Sequence, residues 1–167
     1  MNVAELLTDG FGRVHGVVHE TIDGLTVEQL AWRAAPEANS IGWLVWHLTR
    51  VQDDHVSEVA GVPQTWTEDG WAGRFALPFS DDAIGYGQNS DEVAQVRPDG
   101  DLLAGYFDAV YARTIAYLAT LTDPDLDRVV DRRWDPPVTL GVRLVSVLDD
   151  DIQHAGQAAF VRGILPG

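Results

Sequence analysis

At 167 residues and 46% hydrophobic content, the chain is long enough for one core-forming domain and too apolar to be disordered. A formal net charge of -15 sets it against phosphate backbones, and the absence of cysteine rules out disulfides, thiolate ligands and a cysteine nucleophile. No apolar run approaches the roughly 20 residues of a membrane helix, and the N-terminus lacks the basic-then-apolar pattern of a signal peptide, so a single cytoplasmic domain over residues 1–167 is expected.

The first helix is expected from about Val3 to Gly24, where Leu7, Phe11, Val14, Val18, Ile22 and Leu25 recur at helical spacing. His15 and His19 form an i, i+4 pair on its flank; a surface or rim position is the main expectation and ligation the lesser one. Pro36 marks a break in the connection from Thr26 to Asn39. The second helix runs from about Ser40, a suitable N-cap, to Ala60. Its opening, Ile41-Gly42-Trp43-Leu44-Val45-Trp46, is apolar on nearly every side, which predicts burial or contact with two neighbours. Asp54 and His55 lie two turns beyond His47, roughly 10 Å along the axis, and are expected on a solvated face.

Gly61 to Pro98 is a long excursion rich in Gly, Pro and Asp that also carries Trp66, Trp71, Phe75, Phe79 and Tyr86. That aromatic content predicts a packed loop, with a short helix at about Ser90 to Val96. Gly85-Tyr86-Gly87-Gln88-Asn89 has the form of a glycine-rich turn, but neither a strand nor a lysine accompanies it, so no phosphate loop is expected. A third helix should start near Asp99 or Asp101 and end near Leu121, ahead of the Thr122-Asp123-Pro124 stop. Asp127 to Val138, with Trp134, Pro136 and Pro137, admits extended structure. The fourth helix spans about Thr139 to Gly163 and aligns Arg143, Val147, Asp150, His154, Gln157 and Val161 in one stripe. A stripe that mixes apolar and ligating residues suits a site between packed helices.

The chemistry concentrates on that stripe and on His47. Asp150 and His154 are four apart and share a helix face. A second helix carrying His47 can complete an N,N,O set around a divalent ion, leaving a coordination position open, as catalytic zinc sites do. Zinc, nickel and iron all suit such donors. Asp151 competes with Asp150 for the ligand role, while Asp149 lies on another face and is expected in solvent. Burying one of three adjacent carboxylates needs a compensating cation, either a metal or Arg143.

The stretch Asn39-Ser40-Ile41-Gly42-Trp43-Leu44-Val45-Trp46-His47-Leu48-Thr49-Arg50-Val51-Gln52-Asp53 resembles the second-helix signature of the DinB-like superfamily, and Asp150-Asp151-Ile152-Gln153-His154-Ala155-Gly156-Gln157-Ala158-Ala159-Phe160-Val161-Arg162-Gly163 resembles its last-helix signature. Gly85-Tyr86-Gly87-Gln88 followed by Glu92-Val93 is similar to the actinobacterial, mycothiol-dependent branch, which includes maleylpyruvate isomerases. The resemblance implies an all-α fold, a four-helix up-down bundle of DinB type with a long crossover loop between helices 2 and 3, often a homodimer. It also implies a divalent metal, commonly zinc or nickel, held by His47, Asp150 and His154. Many members carry His at the position of Asp150, and the isomerase branch carries Glu.

The implied activity is metal-dependent activation of a small-molecule thiol, mycothiol or a similar one, for transfer or isomerisation. Gln157 is expected to orient a ligand, Arg50 to contact the cofactor at the pocket rim, and Trp66 and Trp71 to stand at that rim with it. Two alternatives remain open from the residues: a non-catalytic metal- or ligand-binding stress protein, and a metal-dependent hydrolase. The partners expected are a small substrate and a thiol, with no nucleic acid and no membrane.

Overall fold

The structure, a computed structural model, describes residues 1–166. Four long helices carry it: α1 (Val3–Ile22), α3 (Ile41–Ala60), α7 (Gly100–Leu118) and α8 (Leu140–Gly163). Short helices fill the connections, namely α2 (Val27–Leu30), α4 (Thr65–Glu68), α5 (Trp71–Phe75) and α6 (Ser90–Val93). Two short strands, β1 (Val129–Asp131) and β2 (Val138–Thr139), pair antiparallel just before α8. The extended structure admitted between Asp127 and Val138 is this ribbon.

The long helices begin where side chains satisfy their free N–H groups. Asn2 and Glu5 form a capping box on α1, Ser40 accepts from the Trp43 N–H at 3.1 Å, Asp99 from Leu102 at 2.7 Å, and Thr139 from Val142 at 3.4 Å. Helix α3 ends at Gly61, whose φ of 70° is the left-handed stop that glycine takes most readily.

Contacts between side chains give the relative directions. His47 meets His154 while His55 meets Arg143, so α3 and α8 are antiparallel. Gly12 faces Tyr111 and Gly100 faces Ile22, so α1 and α7 are antiparallel too. Asp53 meets Tyr106 and Val59 meets Tyr117, which makes α3 and α7 parallel. Gly10 lies against Leu148 and Arg162 donates to the Thr21 and Asp23 carbonyls, which makes α1 and α8 parallel. The expected up-down order is therefore refined to up, down, down, up. Because α3 and α7 run the same way, the chain must travel back along the assembly between them, and that return is the long crossover.

The crossover is packed, as its aromatics predict. Trp66 and Phe75 are buried against Tyr106, with ring centroids 5.1 and 5.8 Å away, and join the core with Trp46, Phe107 and Leu103. Each fully covered Leu or Phe contributes about 1.5–3 kcal/mol. Covered by this loop on one side and by α7 and α8 on others, α3 is buried continuously from Ile41 to Asp53. No helix among the described residues is long and apolar enough to cross a membrane.

Candidate metal centre

His47, from the covered half of α3, is 2% exposed. Asp150 and His154, one turn apart on α8, are about four-fifths covered, with side chains 19% exposed each. One donor atom from each of the three lies within 4.8 Å of the others. His154 Nε2 stands 3.6 Å from Asp150 Oδ1, and the two imidazole centroids are 4.8 Å apart. Donors around a tetrahedral zinc are separated by about 3.3 Å, given bonds near 2.0–2.1 Å. The aspartate side chain thus brings its oxygen into the group despite being shorter than glutamate.

The outer nitrogens decide which lone pairs face inward. His47 Nδ1 bonds the Ile84 carbonyl, so that nitrogen carries the proton and Nε2 is the free acceptor. His154 Nδ1 sits 2.9 Å from Gln157 Oε1 with the same consequence. Oxygen acceptors on the far nitrogen are what fix metal-binding histidines in the ligating tautomer. Burial pushes the His47 imidazolium below the usual histidine range, and the neighbouring His154 adds to this, so the ring is neutral as a ligand must be. For His154 burial opposes the charge, but the Asp150 carboxylate and Gln157 outweigh it and raise its pKa.

Asp150 Oδ2 is buried and has no hydrogen-bond partner among the described residues. A carboxylate oxygen left so is costly, and a cation in the N,N,O group is the partner its position allows. The donor set therefore fits a divalent metal. Asp151 takes no part: it is fully covered on the core side of α8, and burial raises its pKa well above the carboxylate range, with the Asp150 charge adding to this. Asp149 is exposed and accepts from Gln153 at 2.8 Å.

The glycine-rich turn is the outer support of this centre. Gly85 has φ of 101°, and a Cβ there would come 2.5 Å from His47 Nδ1. Only glycine lets the loop approach closely enough for the preceding Ile84 carbonyl to reach the ring. Gln88 accepts from Trp43 Nε1 at 2.7 Å, and Trp43 stacks on His47 with centroids 4.6 Å apart.

Arg50 is placed otherwise than expected. It is fully buried, and its guanidinium bonds the Ala83 and Asp81 carbonyls at 3.1 Å each, Gln64 at 2.8 Å and Tyr106 at 3.2 Å. It fastens the crossover to α3 and, fully buried, does not reach a cofactor at the rim. Trp66, buried, and Trp71, half-buried, likewise pack on Tyr106 and do not line the cavity beside the centre.

The cavity beside the centre has a volume of about 340 Å³ and is walled by Asp150, Tyr86, His55, Arg143 and Trp134. His55 is thus not on a solvated face. Arg143 donates to its Nδ1 at 2.8 Å, which puts the ring proton on Nε2. Burial and the Arg143 charge both lower its pKa. Two spacings carry the signal for these residues: His47, Val51 and His55 repeat every four on α3, and Arg143 opens the α8 stripe that ends in the ligands.

Comparison with known proteins adds the family. The sequence model of the DinB superfamily matches residues 11–158. The chain belongs to the DinB superfamily. Its fold is similar to a crystal structure described as the conserved protein of locus from Enterococcus faecalis, with a TM-score of 0.92 and 34% identity over 99% of this chain and 98% of that one. No curated protein matches the chain. Like other DinB-superfamily chains, it places candidate metal-ligating residues together, and its all-α architecture is that of the family.

Proposed function

We propose that this DinB-superfamily protein is a metal-dependent enzyme that activates a small-molecule thiol, of the mycothiol class, for transfer or isomerisation. The observation that carries the reading is the pair of imidazoles with Nδ1 held by oxygen acceptors, converging on a carboxylate whose second oxygen is buried without a partner. His47, Asp150 and His154 would hold zinc or nickel. When bound there, the ion lowers the pKa of a coordinated thiol and keeps it as thiolate at neutral pH.

The chain's own residues support the rest. His55, neutral and with its proton on Nε2, is a hydrogen-bond donor suited to a substrate carbonyl oxygen as charge develops on it. Arg143 fixes that tautomer, and the two arginines on the cavity wall, Arg133 and Arg143, are matched in charge there by Asp131 and Asp150. Tyr86 and Trp134 supply aromatic walls. A small substrate, a thiol and a second copy of the chain are the partners this reading takes.

Zinc content and thermal shift test it. Wild-type protein should lose one equivalent of zinc on His47→Ala, His154→Ala, and zinc-loaded wild type should gain stability with mycothiol while the double variant does not. A zinc-loaded wild type indifferent to thiols would overturn the thiol reading and leave a binding protein or a hydrolase.

A further inference from the structure

The first helix carries a second convergence of ligating atoms. His15 and His19 stand one turn apart on α1, and their Nε2 atoms lie 2.8 and 2.7 Å from a single oxygen, Asp108 Oδ1 on α7. One donor from each of the three lies within 4.8 Å of the others. The rings are not loose surface side chains. They pack on each other at 4.5 Å between centroids, and His15 lies 4.3 Å from Tyr111 and 5.6 Å from Phe107. Side chains of His15, His19 and Asp108 are 32%, 37% and 50% exposed, so water has access to complete a coordination shell.

The surroundings favour a cation. His19 also borders a cavity of about 550 Å³ whose wall carries Asp23, Asp99 and Asp101. On a chain of net charge -15, those carboxylates concentrate positive ions at the cluster.

We propose that His15, His19 and Asp108 form a second divalent-cation site, of zinc-type N,N,O chemistry, that clips α1 to α7. Each ring binds through Nε2 with its proton moved to Nδ1, and Asp108 supplies the oxygen. Ligands on two antiparallel helices make the bound ion a cross-link absent from the unfolded chain, so occupancy raises stability. The site stands apart from the His47 centre and does not depend on the enzyme reading.

Zinc titration of metal-free protein against a chromophoric chelator, with thermal unfolding alongside, tests it. Wild type should bind two equivalents. His47→Ala, His154→Ala should keep one, and zinc should still raise its unfolding temperature. Adding Asp108→Asn, or separately His15→Gln, His19→Gln, should abolish both the remaining equivalent and the shift. These side chains are half-exposed, and circular dichroism checks that each variant is folded. A His47→Ala, His154→Ala protein that binds no zinc would overturn the proposal. So would one whose remaining equivalent survives both sets of added substitutions. Loss of the thiol response with two equivalents still bound would count against the enzyme reading alone.

Discussion

Gly85→Ala is the sharpest test of the support built around His47. The new Cβ would lie 2.5 Å from His47 Nδ1 and 3.1 Å from Trp43 Cζ2. Carbon contacts settle near 3.5–4.0 Å, so loop and ring must part by about 1 Å. The φ of 101° adds strain of about 1–3 kcal/mol for a residue with a side chain. Ile84, whose carbonyl accepts the His47 proton, is the adjoining residue and moves with the loop. Losing such an outer hydrogen bond costs about 10–100-fold in metal affinity, or about 1.4–2.8 kcal/mol. Gly87→Ala is the matched control: its φ is 73° but a Cβ there meets nothing within 4 Å. It should cost about 1–2 kcal/mol of backbone strain and leave zinc affinity alone. Chelator competition in a His15→Gln, His19→Gln background reads the His47 centre by itself. Equal zinc affinities for the two alanine variants would refute the claim that the glycine turn sets the ligand.

Asp150→Ala should weaken zinc binding at that centre far more than Asp151→Ala, measured by the same competition, because only Asp150 faces the histidines. Asp53→Ala should lose about 3–5 kcal/mol of stability in urea unfolding. It strips the acceptor of the Thr65 and Trp66 N–H groups and the Tyr106 hydroxyl, and leaves Arg50 buried without its counter-ion 3.7 Å away. Asp131 is held below the usual carboxylate range by hydrogen bonds from the Arg133 side chain and backbone, with the charges of Arg133 and Arg143 adding to this. A depressed folded pKa gives stability that is present above the unfolded value of about 3.9 and lost as pH falls toward the folded one. Asp131→Asn should therefore flatten the decline in unfolding temperature below about pH 4, and an unchanged acid limb would remove Asp131 from that role.

What was legible depended on whether the signal was local. Ser40, Asp99 and Thr139 mark helix starts because a cap acts within three residues of itself. The facing of Asp150 and His154 follows from helical period alone. The short helices α2, α4 and α5 were not expected, since four or five residues carry no period to read. Arg50 was misplaced for a different reason. An arginine in sequence reads as solvent-facing, and only its partners Gln64, Asp81, Ala83 and Tyr106, from other elements of the fold, reveal that it is interior. His55 shows the same limit in reverse, because its cavity is closed by Arg143, 88 residues away. The long Gly61 to Pro98 connection was the one sequence signal that bears on helix direction, because a chain joining two parallel helices must travel back along them.

The parallel arrangement of α3 and α7 explains why the crossover and the metal centre are one structural problem. A chain that must return along the assembly lays its excursion over the covered half of α3, where His47 sits. Arg50 and Asp53 anchor the outgoing part of that excursion through Gln64, Thr65, Trp66, Asp81 and Ala83. Ile84 and Gln88, a few residues further on, then set the His47 proton and brace Trp43 behind it. The imidazole is competent to ligate only while the loop is seated, so loop order and ion binding share one free energy. By that reciprocity an ion at the centre stabilises the loop as much as the seated loop tightens the ion, and buried polar residues remote from the donors become determinants of affinity. Asp53→Ala should then lower zinc affinity as well as stability, although Asp53 touches none of the three ligands. Affinity unchanged in a folded Asp53→Ala protein would show that the loop and the centre are independent.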